Sequence, residues 1–235
     1  MEYLATEEYA LTKARQEDLL LNSGKDNWTI LRPYITYNTN RLQLGVYEKE
    51  IWLTRALQGK PVVFSKDIAD RETTLTRGSD VARYIKGILG NDRAKGAVFN
   101  VASGISLKWQ EVLDIYIVVL KELLGIEHIP TVYTEHAIVG KHQHYQYIYD
   151  RLFERRFDSS KIIAVTGDEK GFETPQNGLE ECLRGFFFEQ AGKLPAFRDW
   201  RLEGCFDRVA HCSDNLLMIK GIKNKVKYGL YRYLL

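Results

Sequence analysis

Residues 6–33 read TEEYALTKARQEDLLLNSGKDNWTILRP, and this stretch decides the fold. Residues 6–22 are rich in strong helix formers, and Asn22-Ser23-Gly24 is a helix-stop signal. Trp28-Thr29-Ile30-Leu31 is a short β-prone run, which Arg32-Pro33 ends because proline has no amide to offer a ladder. A helix, a glycine turn and a short strand in succession is the rhythm of a layered α/β protein.

The same rhythm continues along the chain. Residues 46–58 read as a helix stopped by Gly59-Lys60-Pro61, and Val62-Val63-Phe64 as a strand. Ser79-Asp80 stands where an N-cap belongs, opening a helix through Ile85 and Ile88. Ala97-Val98-Phe99-Asn100-Val101 is the clearest strand; Ser106 then caps a helix to about Leu124, with Gly125 just past its end. Residues 131–134 read as a strand, 162–165 as a short element, and 179–190 as a helix. From about Leu194 the composition changes, and residues 219–235 mix Lys220, Lys223, Lys225, Lys227 and Arg232 with apolar and tyrosine residues. A basic amphipathic segment of this kind can rest on an anionic membrane surface or a protein partner. It can equally be a helix packed on the body with its lysines in solvent.

The bulk numbers narrow the class. A hydrophobic content of 45% with 27% charged residues supports a sizeable core and excludes wholesale disorder. A net charge of +2 does not mark a nucleic-acid binder. Cys182, Cys205 and Cys212 are odd in number and form no CxxC pair, so they read as reduced thiols. No apolar run approaches the roughly 18 to 20 residues that span a bilayer, and Met1-Glu2-Tyr3-Leu4 lacks the order of a secretory signal. A cytoplasmic protein is the expectation. Fourteen tyrosines suit either half-buried amphipathic positions or sites that grip polyhydroxylated ligands.

Tyr9 and Lys13, four apart, project from one face of the first helix. A phenol is a poor base at neutral pH, and a neighbouring ammonium favours loss of its proton. Such a pair can take a proton from a hydroxyl while a hydride leaves the same carbon. The spacing by itself is equally met by a surface helix with an amphipathic tyrosine.

Tyr9-Ala10-Leu11-Thr12-Lys13, then Glu17, Leu19 and Leu20, then Trp28 to Pro33, resembles the extended short-chain dehydrogenase/reductase family, the NAD-dependent epimerase/dehydratases. There a YxxxK helix precedes a strand ending in L-R-P. Further matches follow in order: Ser79-Asp80-Val81-Ala82, Phe99-Asn100-Val101-Ala102-Ser103-Gly104, the helix after Ser106, Asp158-Ser159-Ser160-Lys161 and Gly178-Leu179. Together they cover roughly residues 5–190.

The departures matter as much. No G-x-x-G-x-x-G or G-x-G-x-x-G occurs in the 235 residues, although the family seats the dinucleotide pyrophosphate on such a turn. The family's Ser or Thr upstream of the tyrosine has no counterpart, since Thr6 stands too close to Tyr9. The G-P that often follows the strand is replaced by Tyr34-Ile35-Thr36-Tyr37-Asn38-Thr39.

The resemblance implies an α/β fold: the C-terminal part of a Rossmann-like doubly wound domain, with a smaller α/β substrate-binding domain. Residues 1–35 would be a remnant of the dinucleotide-binding domain, 36–192 the substrate domain with returning core strands, and 193–235 a basic extension. Tyr9 would be the general acid/base, with Lys13 as its electrostatic partner and a contact to the nicotinamide ribose. The backbone at Pro33, Tyr34 and Ile35 would meet the nicotinamide amide. Asn38 would contact substrate, and Arg71, Arg77 and Arg151 would grip its pyrophosphate, for which a bidentate guanidinium is suited. The expected activity is an NAD(P)-dependent sugar-nucleotide epimerase, dehydratase or reductase (an isomerase, lyase or oxidoreductase). This chain is expected to be truncated, inactive alone, not to retain NAD or NADP, and to self-associate or form a homodimer. The alternative is a non-catalytic binding module acting through a substrate-like cleft or the basic tail. Glu135, His136, His142 and His144 cluster in sequence without HExxH spacing and are expected to be structural or at the surface. Lys95-Gly96 and Lys170-Gly171 are turns without P-loop spacing.

Overall fold

The computed structural model describes residues 4, 6–140, 143–190 and 199–235. The first elements are α1 (Tyr9–Leu21), β1 (Thr29–Pro33), β2 (Thr36–Tyr37), β3 (Gln43–Leu44), β4 (Tyr47–Glu48) and α2 (Lys49–Leu57). Then come β5 (Val62–Ser65), α3 (Lys66–Ala69), β6 (Glu72–Thr74), β7 (Thr76–Arg77) and α4 (Gly78–Ile88). The middle of the chain supplies β8 (Ala97–Val101), β9 (Ser106–Lys108), α5 (Trp109–Leu124), β10 (Thr131–Thr134) and α6 (His144–Gln146). Finally come α7 (Ser160–Thr166), α8 (Pro175–Gln190), α9 (Trp200–Val209) and α10 (Ile222–Gly229), whose last turn runs on as a π-helix over Leu230–Leu234.

The decisive stretch folds as its sequence suggests. The Glu8 carboxylate accepts from the Ala10 amide at 2.7 Å to open α1, and the Asn22 side chain closes it on the Asp18 carbonyl at 2.8 Å. β1 lies parallel to β8, from Thr29 opposite Ala97 to Pro33 opposite Val101. α4 and α7 cover this pair through a core of Tyr84, Ile88, Phe99, Val101 and Ile162. α1 itself buries no residue.

A larger core holds the rest of the chain. β5 pairs in parallel with β10 and is buried at all four positions. Trp52 of α2 stacks on Tyr116 of α5 with ring centroids 4.4 Å apart, and Leu179 and Leu183 of α8 join the same cluster. Short pairings tie the two regions together: β2 with β7 in parallel, and β6 with β9 antiparallel.

Four expected helix starts shift. α2 begins at Lys49 rather than Val46, because Tyr47–Glu48 pairs as β4, and α8 begins at Pro175 rather than Leu179. α4 begins at Gly78 rather than at a cap formed by Ser79-Asp80. The Asp80 carboxylate is buried instead, accepting from the Glu173 amide at 2.8 Å and from Arg83 at 3.0 Å, which fastens α4 to the segment before α8. Ser106 is not a cap either. It lies in β9 opposite Thr74, and α5 starts at Trp109, where the Glu111 carboxylate accepts from the Lys108 amide at 2.6 Å. The element expected at 162–165 is the helix α7.

The end of the chain is fastened by buried charge. The Arg55 guanidinium of α2 donates to Glu203 at 3.0 Å and to Asp207 at 2.8 Å, both on α9. The Lys60 ammonium reaches Asp207 at 2.7 Å and Asp214 at 3.0 Å. The Tyr228 hydroxyl of α10 donates to Asp207 at 2.7 Å, and the Cys212 thiol donates to its other oxygen at 3.2 Å. Burial pushes the Asp207 carboxyl up, but hydrogen bonds from Lys60, Tyr228 and Arg55 outweigh it and hold it at about 2. Glu203, Asp207 and Asp214 have the mutual spacing of metal ligands, and here the space among them is served by the Arg55 and Lys60 cations. Among the described residues no helix is long and apolar enough to cross a membrane.

Candidate functional site

Tyr9 is the first helical residue of α1 and is 73% exposed. The Lys13 ammonium lies 5.6 Å from the centroid of its ring and donates to Gln16 at 3.2 Å. Both groups stand in water, which screens their interaction. Arg32 of the L-R-P strand end donates to Glu17 at 3.0 and 3.1 Å, so the helix carrying Tyr9 is pinned to the carboxyl end of β1.

Two clefts meet at Tyr9. One, of about 610 Å³, is lined by Tyr9, Lys13, Glu17, Leu31, Arg32 and Pro33. The other, of about 710 Å³, is lined by Thr6, Glu8, Tyr9, Gly140, His144, Tyr145 and Arg201. Both volumes fall in the range of small-molecule sites. Sequence reasoning does not select Tyr145 or Arg201 and sets His144 aside. They come from the region after β10 and from α9, more than 130 residues beyond Tyr9, so no local spacing could flag them.

After β1 the chain turns sharply. Ile35 has φ of +28°, a conformation that β-branched residues avoid, and its carbonyl accepts from the Thr76 amide at 3.0 Å. The Tyr34 ring packs on Phe157 and its hydroxyl donates to Asp150 at 2.9 Å; burial raises its pKa. Asn38 acts locally, its side-chain oxygen accepting from the amides of Asn40 and Arg41 at 2.8 and 3.0 Å.

The three arginines expected on pyrophosphate are each held by protein groups. Arg71 meets Glu154 at 3.3 Å at the surface. Arg77 meets Glu181 at 2.7 Å. Arg151 is buried: it donates to the Gly45 carbonyl and the Gln43 side chain, both at 3.0 Å, pairs with Asp150, and lies over the Trp109 ring. Burial lowers its pKa to about 10. None of the three lines either cleft at Tyr9. Of the histidine cluster, His136 approaches Asp67 at 3.1 Å, Glu135 pairs with Lys66, and His142 lies outside the described residues.

No family model matches the chain. No curated protein matches it either. Solved structures match it in fold. UDP-glucuronic acid 4-epimerase from Bacillus cereus in complex with NAD has a TM-score of 0.54 at 19% identity, over 79% of this chain and 53% of that one. RMD from Pseudomonas aeruginosa complexed with NADPH gives 0.54 at 19%, over 76% and 55%. An epimerase from Methanothermobacter thermautotrophicus gives 0.57 at 15%, over 77% and 49%. The chain therefore spans about half the length of these structures. At such identities the likeness establishes fold: a mixed α/β chain with parallel strand pairs, matching Rossmann-like epimerases.

Proposed function

We propose that the chain is the catalytic-helix and substrate-binding part of an NAD(P)-dependent sugar-nucleotide epimerase, dehydratase or reductase. The observation that carries this reading is the position of Tyr9, which lines both clefts at once. In the proposed roles the Tyr9 phenol exchanges a proton with a sugar hydroxyl, and the Lys13 ammonium stabilises the phenolate. Covering Tyr9 and Lys13 from water would strengthen that interaction, because the local dielectric falls. The nicotinamide would supply the hydride acceptor.

The residues present fit only one end of such a cofactor. Lys13 and Pro33 line the cleft beside Tyr9 and would face the nicotinamide half, with Tyr34 and Ile35 next along the backbone. No glycine-rich turn is present in the sequence to seat the pyrophosphate on a helix N-terminus. The chain alone is therefore inactive in this proposal, residues 1–35 serving as the docking face for a dinucleotide-binding partner. His144, Tyr145 and Arg201, which line the second cleft, would face the sugar-nucleotide side.

The test is equilibrium binding to the isolated chain, with NADH and NADPH followed by fluorescence and UDP-, GDP- and dTDP-glucose by saturation-transfer NMR. Millimolar binding of one sugar nucleotide, weakened by Arg201→Ala, is expected, with no saturable dinucleotide binding. Tight dinucleotide binding would overturn the inactive-alone claim. Failure of every sugar nucleotide at millimolar concentration would overturn the substrate reading. Tyr9→Phe should leave the fold intact, since α1 buries no residue, so any loss of binding it causes is local to the clefts.

A further inference from the structure

α10 and its π-helical continuation turn the wrong face outward for a helix that merely packs on a body. Tyr228 is fully buried and meets Trp200 of α9 edge-on, so the inward face is set by an aromatic and polar contact. The aliphatic side chains Ile222, Val226 and Leu230 recur at intervals of four, which places them on one stripe. That stripe faces solvent: Ile222 is 81% exposed and Val226 56%. Leu217 and Met218, just before the helix, are exposed at 83% and 78%, and Tyr233 and Leu234 are exposed beyond it.

Charge accompanies the stripe. Residues 215–235 contain no aspartate or glutamate, whereas Lys220, Lys223, Lys225, Lys227 and Arg232 all fall within them. Lys223 and Lys227 follow Ile222 and Val226 by one position each, so they flank the apolar stripe. The Arg232 side chain turns back to the Cys212 carbonyl at 2.7 Å, which leaves lysines as the outward cations. A contiguous exposed apolar patch on a soluble body marks an interaction site. A patch rimmed by one sign of charge selects an occupant that is apolar beneath and anionic at its surface.

We infer that the outward face of α10, with the Leu217-Met218 loop, docks on an anionic lipid bilayer, the aliphatic stripe entering the headgroup boundary and the lysines meeting acidic headgroups. The buried Arg55–Asp207–Tyr228 cluster keeps this face rigidly presented, since Tyr228 belongs to it. The inference does not depend on the proposed sugar-nucleotide activity.

The experiment is co-sedimentation of the full chain with vesicles of phosphatidylcholine alone and with about 30% phosphatidylserine, at low and raised salt. Binding to the acidic vesicles only, weakened by salt, is expected. Each lysine near an anionic surface is worth about fivefold, so Lys223→Gln with Lys227→Gln lowers partitioning about 25-fold. Replacing Ile222, Val226 and Leu230 by Ser abolishes it while circular dichroism and the melting temperature stay unchanged. Equal binding by the serine variant overturns the inference, as does absence of wild-type binding to acidic vesicles at low salt. Conversion of a dimer to a monomer by the serine variant, with no change in vesicle binding, also overturns it and assigns the stripe to a second copy of the chain.

Discussion

Asp207→Asn tests how the end of the chain is held. The native carboxylate is fully buried and takes bonds from Arg55, Lys60, Tyr228 and Cys212 on both of its oxygens. Asparagine keeps the volume but turns an NH2 group toward donors and removes a charge from between two cations. Breaking a buried pair in this way costs about 3–5 kcal/mol, because what remains is uncompensated charge. The loss should fall first on the unit that the cluster fastens, α9 and α10, more than on the core of β5, α2 and α5. Local opening that is easier by about 3 kcal/mol lowers amide protection by roughly a hundredfold or more. Hydrogen exchange read by mass spectrometry across residues 199–235 measures this directly. The pH dependence follows from the same geometry. The folded carboxyl, at about 2, lies below its unfolded value, so its stabilisation is present above pH 4 and disappears as pH falls through 2. That contribution is about 2 kcal/mol in the wild type and absent in the variant, so the difference between the two proteins narrows by about that amount as pH falls from 4 through 2 without closing. Protection in the variant within fivefold of wild type at pH 7 would refute the reasoning and reduce the cluster to a surface-like ion pair.

Two further perturbations probe other parts of the fold. Gly178 of α8 lies where an added Cβ would overlap the Tyr37 hydroxyl oxygen and come within 2.9 Å of its Cζ, so Gly178→Ala should destabilise by about 1–3 kcal/mol in urea unfolding. The Tyr37 hydroxyl is buried without a hydrogen-bond partner among the described residues, so Tyr37→Phe should be neutral or stabilising and recover part of the Gly178→Ala loss. Leu19 and Leu89 are each 74% exposed, and β1 pairs with β8 alone among the described residues, leaving its other edge open. The chain, of mass 27.2 kDa, should therefore associate with rising concentration in light scattering, and Leu19→Lys with Leu89→Lys should reduce it; a monomer up to about 200 μM removes the argument.

What the sequence made legible was local. α1 and β1 announce themselves through helix formers, a stop signal and a short β-prone run ending in proline, and each forms close to its expected bounds. β8 is legible for the same reason. The start of α5 was not, because β9 exists only through its pairing with β6, some 30 residues earlier. Without that partner, Ser106 reads as a cap. The arginines show what residue type leaves open: it suggests phosphate, whereas their protein partners, Glu154 for Arg71, Glu181 for Arg77 and Gly45 and Gln43 for the buried Arg151, are visible only in the fold.

The tail shows most clearly where pattern ends and packing begins. Its amphipathic mixture was evident, and a helix packed on the body with lysines in solvent describes one face of the result. Periodicity cannot say which face turns inward. Here the decision rests with Asp207, 21 residues before Tyr228 and 152 after Arg55. A buried carboxylate needs donors more than the core needs aliphatic area, because an unsatisfied charge costs several kcal/mol while one aliphatic side chain contributes about 1.5–3. Tyr228 supplies a donor to Asp207 and an acceptor for the Asp214 amide at 2.7 Å, so it is drawn in. Gly204 of α9 allows the approach, since a Cβ there would meet the Tyr228 carbonyl at 2.8 Å and Tyr231 Cβ at 2.9 Å. With Tyr228 inward, Ile222 and Val226 must face out. The exposed aliphatic stripe is thus a consequence of how the buried charge is satisfied, and the two are coupled: a variant that empties the Tyr228 position should free α10 to rotate its aliphatic face toward the body.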